Sequence, residues 1–193
     1  MLRGEINKAG VLLDTNLLTP ILEGSELSGW LARVQKYSPN ITTTRHNVIE
    51  YLSSPHIIET TVLTYKDIVD QLQRHQITVT DGELCSTTEA CELCCAILRN
   101  ELEQTLKSAT IGKTLATGKK KQKATKLEWV NIMEKSRNDL YMACEAHCKN
   151  LVFITMDLKF HRHFGASLHQ YGVTTYAVAN SFFQSATATT SVE

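Results

Sequence analysis

The chain has 193 residues, of which 42% are hydrophobic, and its 20 basic side chains balance its 20 acidic ones. This length predicts one domain with a buried core, over residues 1–184. Zero net charge excludes a global attraction to nucleic acid, so any such contact requires a local basic patch. The sequence contains neither a secretory signal nor a long apolar span, which predicts a cytoplasmic protein without membrane contact.

The first half of the chain alternates between predicted strands and helices. It begins with a strand from about Gly10 to Asp14, and apolar residues at helical spacing then mark a helix around Leu27 to Val34. Two more strands and two more helices are predicted before residue 80. They are a short strand at Ile41–Thr42, a helix from Arg45 to Leu52 that Thr43 or Thr44 caps and Ser54-Pro55 ends, a helix from Tyr65 to Arg74, and a strand from Ile77 to Val79.

The second half begins with a predicted helix from about Ser86 to Leu106. Residues 109–126 lack apolar periodicity, so they are predicted to form an exposed, lysine-rich loop insertion. Residues 185–193 are predicted to be a flexible tail. Between them lie a helix from about Leu127, a strand from Leu151, a short helix from near Leu158, a strand around Val173 to Tyr176 and a helix around Val178 to Phe183. This alternation predicts a three-layer α/β/α sandwich with a mostly parallel central sheet.

Two apolar runs that end on a carboxylate are the most informative feature of the sequence. Val11-Leu12-Leu13 leads into Asp14, and Leu151 to Thr155 leads to Asp157. A short continuous apolar run is typical of a strand buried on both faces of a parallel sheet. Because ligands of such sheets lie beyond the carboxyl ends of the strands, these two acids are predicted to lie where the site forms.

Two further acids lie on predicted helices beside apolar residues. Glu50 stands within Val48 to Leu52, and Asp139 precedes Met142 and Ala143 by three and four residues. For any one of these acids, a helix cap, a turn residue or a surface charge is the better interpretation. Four carboxylates near apolar segments are costly unless they are paired or bound to a cation, so their arrangement favours a metal site.

At these residues the sequence resembles the PIN domain nucleases (PilT N-terminus), including VapC-like toxins. The resemblance rests on Asp14-Thr15-Asn16 after the first strand, the helix from Thr44 to Glu50, the helix that holds Asp139, and the segment from Leu151 to Phe160. These motifs occur in the family's order and extend over most of the chain. The lysine-rich insertion makes the stretch between Glu50 and Asp139 longer than in compact toxins.

The resemblance implies a PIN-like fold and a metal-dependent endoribonuclease that hydrolyses RNA phosphodiester bonds. It assigns the catalytic and metal-binding roles for Mg²⁺ or Mn²⁺, direct or through water, to Asp14, Glu50, Asp139 and Asp157. Asn16 and Thr155 would orient these ligands or water. RNA is the implied substrate, and an antitoxin-like protein and a second copy of the chain are further candidate partners.

Basic residues near the acids and in the insertion are candidate RNA contacts. For each of them the alternative is a solvated surface charge without a partner. In the insertion, the densest basic run would supply the local patch that a chain of zero net charge needs to hold a polyanion. The candidates are Arg45, His161, Arg162, Lys119, Lys120, Lys121 and Lys123.

Three alternatives stay open at this point. Cys91-x-x-Cys94, Cys144-x-x-x-Cys148 and His147 fit a zinc site, but helical spacing favours reduced thiols in a packed core. The fold could also serve as an inactive module that binds RNA or a protein. A metal-dependent phosphatase or DNA nuclease on a similar sheet is the third alternative, and Asn16 counts against the phosphatase because that chemistry requires a second aspartate there.

Overall fold

The computed structural model describes residues 10–24, 27–60, 62–81, 87–110, 131 and 136–178. Their strands form one sheet, in which the order is β3-β2-β1-β4-β5 and every neighbouring pair is parallel. The strands are β1 (Gly10–Leu13), β2 (Ile41–Thr44), β3 (Ile77–Thr80), β4 (Leu151–Thr155) and β5 (Thr175–Ala177). The predicted parallel α/β sheet is therefore confirmed.

Helices cover both faces of this sheet, because successive residues of the central strands point to opposite sides. Val11 and Leu13 of β1 belong to one core cluster, whereas Leu12 belongs to the other. The first cluster includes side chains of α1 (Thr15–Leu22), α2 (Leu27–Tyr37), α3 (Arg45–Leu52), α4 (Pro55–Thr60) and α5 (Tyr65–Arg74). The second includes side chains of α6 (Thr88–Thr110), α7 (residues 136–148) and α8 (Leu158–Gln170). One sheet with a layer of helices on each face is a three-layer α/β/α sandwich, so this prediction is confirmed.

The strand order reverses direction between β1 and β4. From β1 the chain steps outward through β2 to β3, and it then returns to form β4 on the other side of β1. Crossovers between parallel strands are right-handed, so this reversal moves the helices from one face of the sheet to the other. The crevice beyond the carboxyl ends of β1 and β4 is the position where open sheets of this type bind ligands.

Several boundaries differ from the sequence predictions for identifiable reasons. The insertion was predicted to begin at residue 109, which is wrong, because helix-favouring Leu106, Lys107 and Ala109 extend α6 to Thr110. Helix α8 has 13 residues and is not short. Val178 is not helical, since its N–H continues the ladder to the Thr155 carbonyl at 2.8 Å.

Other predictions concern segments outside the described residues. These are 111–130, which contain most of the insertion with its lysines, and 179–193, which contain the predicted last helix and tail. None of the helices in the described part of the chain is long and apolar enough to cross a membrane.

Candidate functional site

Asp14 lies immediately after β1, at the switch point of the sheet, where the strand order reverses between β1 and β4. Its side chain is buried, since the residue is only 4% exposed. One of its oxygens, Oδ1, accepts a hydrogen bond of 2.7 Å from the Thr15 N–H and so caps α1. The other, Oδ2, accepts hydrogen bonds of 2.6 Å from the Thr155 hydroxyl and the Asn16 side-chain amide. The four-residue strand β1 is therefore followed directly by a carboxylate whose position is fixed by three hydrogen-bond donors.

Asn16 and Thr155 connect the ends of β1 and β4. The Asn16 Oδ1 accepts from the Met156 N–H at 2.8 Å, and the Thr155 Oγ1 accepts from the Asp157 N–H at 2.9 Å. The Asn16 amide also donates to Thr155 Oγ1 at 3.0 Å. These bonds link the backbone around Asp157 to the carboxylate of Asp14. The orienting role predicted for Asn16 and Thr155 is compatible with these contacts.

Asp157 begins α8 at the carboxyl end of β4. Its Oδ1 accepts hydrogen bonds from the N–H groups of Lys159 at 2.7 Å and Phe160 at 2.9 Å. A carboxylate at a helix N-terminus is stabilised by the helix dipole and by these otherwise unpaired donors. Its Oδ2 accepts no hydrogen bond from any residue that the structure describes, so this oxygen is available to a ligand.

Glu50 is exposed on α3, which two polar side chains fix against the sheet. Thr44 caps the helix through the Asn47 N–H at 3.2 Å, and the Asn47 amide donates to the Leu13 carbonyl at 2.7 Å. The Thr15 hydroxyl donates to Glu50 Oε2 at 2.5 Å. Since the Thr15 N–H also donates to the Asp14 carboxylate, this bond holds the Glu50 carboxylate beside the buried acid.

Asp139 approaches the site from α7 and is half-buried. One turn further along α7, Met142 accepts a hydrogen bond at its sulfur from the Thr44 hydroxyl at 3.9 Å, which fixes α7 at the carboxyl end of β2. Within the described ranges no donor forms a hydrogen bond with the Asp139 carboxylate. This acid is therefore removed from water without a compensating donor among those residues.

The four acids interact electrostatically. Burial, together with the charges of Glu50 and Asp157, raises the pKa of Asp14 to about 6. The hydrogen bonds from Thr155 and Thr15 act in the opposite direction and lower this pKa. Burial likewise raises the pKa of Asp139 to about 8, with added repulsion from Asp14, Asp157 and Glu50. The four acids predicted from the sequence are thus brought together, and at neutral pH they resist full ionisation unless a cation joins them.

The donor set fits a hard divalent cation with few direct protein ligands. Across the described residues, no three His, Cys, Asp or Glu side chains are placed to hold one ion jointly. Mg²⁺ keeps several waters and commonly uses only one or two carboxylates, so this arrangement does not conflict with it. Neither the Asp157 Oδ2 nor the Asp139 carboxylate accepts a hydrogen bond from the described residues. These oxygens are therefore the best candidates to bind the cation, directly or through water.

The predicted RNA contacts are only partly described. Arg45 is exposed at the start of α3, where its guanidinium lies 6.0 Å from the centre of the Tyr65 ring. His161 is half-buried and Arg162 exposed in the first turns of α8. Because α3 and α8 both begin at the carboxyl edge of the sheet, these three residues lie on the same edge as the acids. Lys119, Lys120, Lys121 and Lys123 lie outside the described residues.

Four of the cysteines lie between α6 and α7. The buried thiols of Cys94 and Cys144 form a hydrogen bond, which, together with burial, raises the pKa of Cys144. Cys91 and Cys148 are half-buried and close enough for their charges to affect Cys144. The spacing that made a zinc site conceivable therefore does bring these thiols together, in the core cluster of the α6–α8 face.

We expect this cluster to contain free thiols in the native protein. Burial in an apolar cluster favours the protonated thiol, whereas zinc requires thiolates. Mass spectrometry of the native protein under non-reducing conditions should give the mass of the metal-free, fully reduced chain. One tightly bound zinc per chain, or a mass lowered by disulfide formation, would contradict this prediction.

Comparison with family models, with curated proteins and with solved structures finds no match to the chain. Sequence reasoning did not assign a role to Thr15 or Asn47, although both position the acids. Thr15 was visible between the two polar residues of the Asp14-Thr15-Asn16 motif, whereas nothing in the sequence indicated that Asn47 contacts β1.

Proposed function

We propose that the protein is a metal-dependent endoribonuclease of the PIN type, with Mg²⁺ or Mn²⁺ as its cofactor. The observation that supports this most is the convergence of four carboxylates at the switch point of a parallel sheet, where burial of Asp14 and Asp139 and repulsion among the four acids disfavour the charged forms. Two of them, Asp14 and Asp139, have pKa values raised to about 6 and about 8. Groups with such perturbed pKa values concentrate at functional sites, and a cation is the simplest ligand that relieves this repulsion.

Each acid has a distinct part in the proposed reaction. When bound, Mg²⁺ or Mn²⁺ would activate water and stabilise the leaving oxygen of an in-line displacement. Asp14 is held rigidly by Thr155 and Asn16, so it fixes the position of the charge. Asp139 holds a proton near neutral pH without a cation and gives it up on binding one. The exposed Glu50, together with the Asp157 Oδ2 that accepts no hydrogen bond from the described residues, completes the acidic edge toward solvent.

RNA is the proposed substrate because the order of the motifs resembles that of RNA-cleaving toxins of the PIN family. Arg45, His161 and Arg162 lie at the same edge and are proposed to contact the RNA. The lysine run from Lys119 to Lys123, an antitoxin-like partner, a homodimer and a cytoplasmic location remain predictions from the sequence and its resemblance.

The proposal is tested with single-stranded RNA and DNA of identical sequence, incubated with Mg²⁺, with Mn²⁺ or with EDTA. We expect internal cuts in the RNA with either cation and none in EDTA, because without a cation the four acids repel the phosphate and nothing in the cluster stabilises the leaving oxygen. Cleavage that persists in EDTA contradicts the metal mechanism. Cleavage of DNA alone favours the DNA nuclease, and RNA binding without cleavage favours the inactive module.

A further inference from the structure

A groove of about 450 Å³ separates α8 from β5, at the edge of the sheet. This volume lies within the range of ordinary ligand pockets. None of the described residues that line it is an aspartate, glutamate, lysine or arginine. We call it the α8–β5 groove, and its principal lining residues are His161, Gly165, His169, Thr174 and Thr175.

One face of α8 forms a wall of this groove. His161, Gly165 and His169 follow each other at intervals of four residues, so they lie along one side of the helix. The three atoms nearest to a Cβ at Gly165 would all belong to the His161 ring, at 3.5 to 3.7 Å, which is ordinary van der Waals contact, so the helix tolerates a methyl group there. A larger side chain would project into the groove.

The groove begins beside the acids and leads away from them. Helix α8 starts directly after Asp157, and Ala177 at the end of β5 pairs with Thr155. His161 is therefore at the acidic end, and His169 lies about 12 Å further along at 1.5 Å per residue. A stacked single strand with a rise of about 3.4 Å per nucleotide would place three to four bases over this length.

The chemistry of the lining indicates the kind of ligand. The described lining carries no Asp, Glu, Lys or Arg and so offers little attraction for phosphate, but imidazole rings stack on bases and threonine hydroxyls donate and accept hydrogen bonds. Such sites bind unpaired bases, which are planar, polar and uncharged. The exposed Lys159 and Arg162 lie on the same helix outside the groove, where they can contact the phosphates of a strand whose bases point inward.

We propose that the α8–β5 groove binds unpaired bases of the RNA on one side of the scissile bond. The inference rests on the proposed function, since it takes the acids as the place of cleavage. It adds the path of the strand along α8, and it assigns base contacts to His161 and His169. His169 is far from the acids and was not among the candidate RNA contacts in the sequence.

The test measures binding of a fluorescent single-stranded RNA in EDTA, where no cleavage is expected. Gly165→Leu should weaken binding at least about tenfold by filling the groove, and Gly165→Ala should bind as wild type does. The matched control is Ala166→Leu, which introduces the same side chain at the next, exposed position of α8 and should leave affinity unchanged. Thermal melts of all variants establish that each is folded.

A second variant makes the result independent of added bulk. His169→Ala should weaken binding about five- to tenfold through loss of base stacking, with an unchanged salt slope because no phosphate contact is removed. An abasic RNA of equal length should abolish the difference between this variant and wild type. Wild-type affinity in both Gly165→Leu and His169→Ala overturns the groove, even if metal-dependent cleavage is found. Groove-dependent binding without any cleavage contradicts the nuclease and leaves the groove in place.

Discussion

Asp14→Asn should abolish cation-dependent cleavage of RNA, with kcat/KM at least about a thousandfold lower. The Asp14 carboxylate fixes the position of the cation, and without it the cation no longer stabilises the transition state, which costs about 4 kcal/mol or more. The substitution keeps the size of the side chain but removes its charge and one acceptor. The measurement is cleavage of single-stranded RNA at saturating Mg²⁺ and Mn²⁺. Asp70→Asn is the matched control, since it makes the same chemical change on the exposed face of α5 and should keep full activity.

The Asp14→Asn variant should still fold, because the substitution has two effects on the free energy of unfolding that partly cancel. Removing a buried charge whose pKa is raised to about 6 relieves burial and repulsion. The amide has only one acceptor oxygen, however, so it cannot accept all three hydrogen bonds that Thr15, Thr155 and Asn16 donate to the carboxylate. We expect a melting temperature equal to or slightly above that of the apo wild type at pH 8. Activity equal to wild type, or an unfolded variant, would contradict the assignment of Asp14.

The position of two of the acids could be predicted from the sequence because local rules determine it. An apolar run followed by a carboxylate gives both a buried strand and the cap of the next helix, as Asp14 and Asp157 demonstrate. The bounds of α3 were predicted for the same reason, since Thr44 caps it, and the structure shows Thr64 in the same role at the start of α5. These features depend on residues within one turn of each other.

The remaining geometry depends on contacts between distant segments. The bond from Thr15 to Glu50 joins residues 35 apart, and the bond from Thr44 to Met142 joins residues 98 apart. No periodicity encodes either distance. Helices α1 and α4 were not distinguished from the stretches around them, because Pro20 and Pro55 are typical of helix ends and turns. The α8–β5 groove likewise arises only when α8 packs beside β5.

Asp139→Asn should stabilise the cation-free protein, and the gain should grow with pH. The pKa of Asp139 rises from its ordinary value of 3.8 to about 8 in the folded state, so folding favours the protonated acid. Wild-type stability is therefore complete below about pH 4 and falls as the pH rises toward 8, because the unfolded chain gives up this proton more readily. Asparagine does not titrate, and it leaves the size of the side chain unchanged.

At pH 8 we expect Asp139→Asn to exceed wild type by about 3 kcal/mol, after allowance for partial exposure, or by about 6 to 12 °C in melting temperature. Near pH 4 the two proteins should melt within about 2 °C of each other, since Asp139 is then protonated in the folded state and about half protonated in the unfolded state, which leaves only a small difference. Adding Mg²⁺ at pH 8 should stabilise wild type more than the variant, because only the carboxylate gains from the cation. Melting curves in EDTA and in Mg²⁺ across this pH range provide the measurement, and Asp70→Asn again serves as the control. Equal melting temperatures at pH 8 in EDTA would contradict the raised pKa of Asp139 that burial and the neighbouring acids produce. Equal stabilisation by Mg²⁺ would remove Asp139 from the cation site.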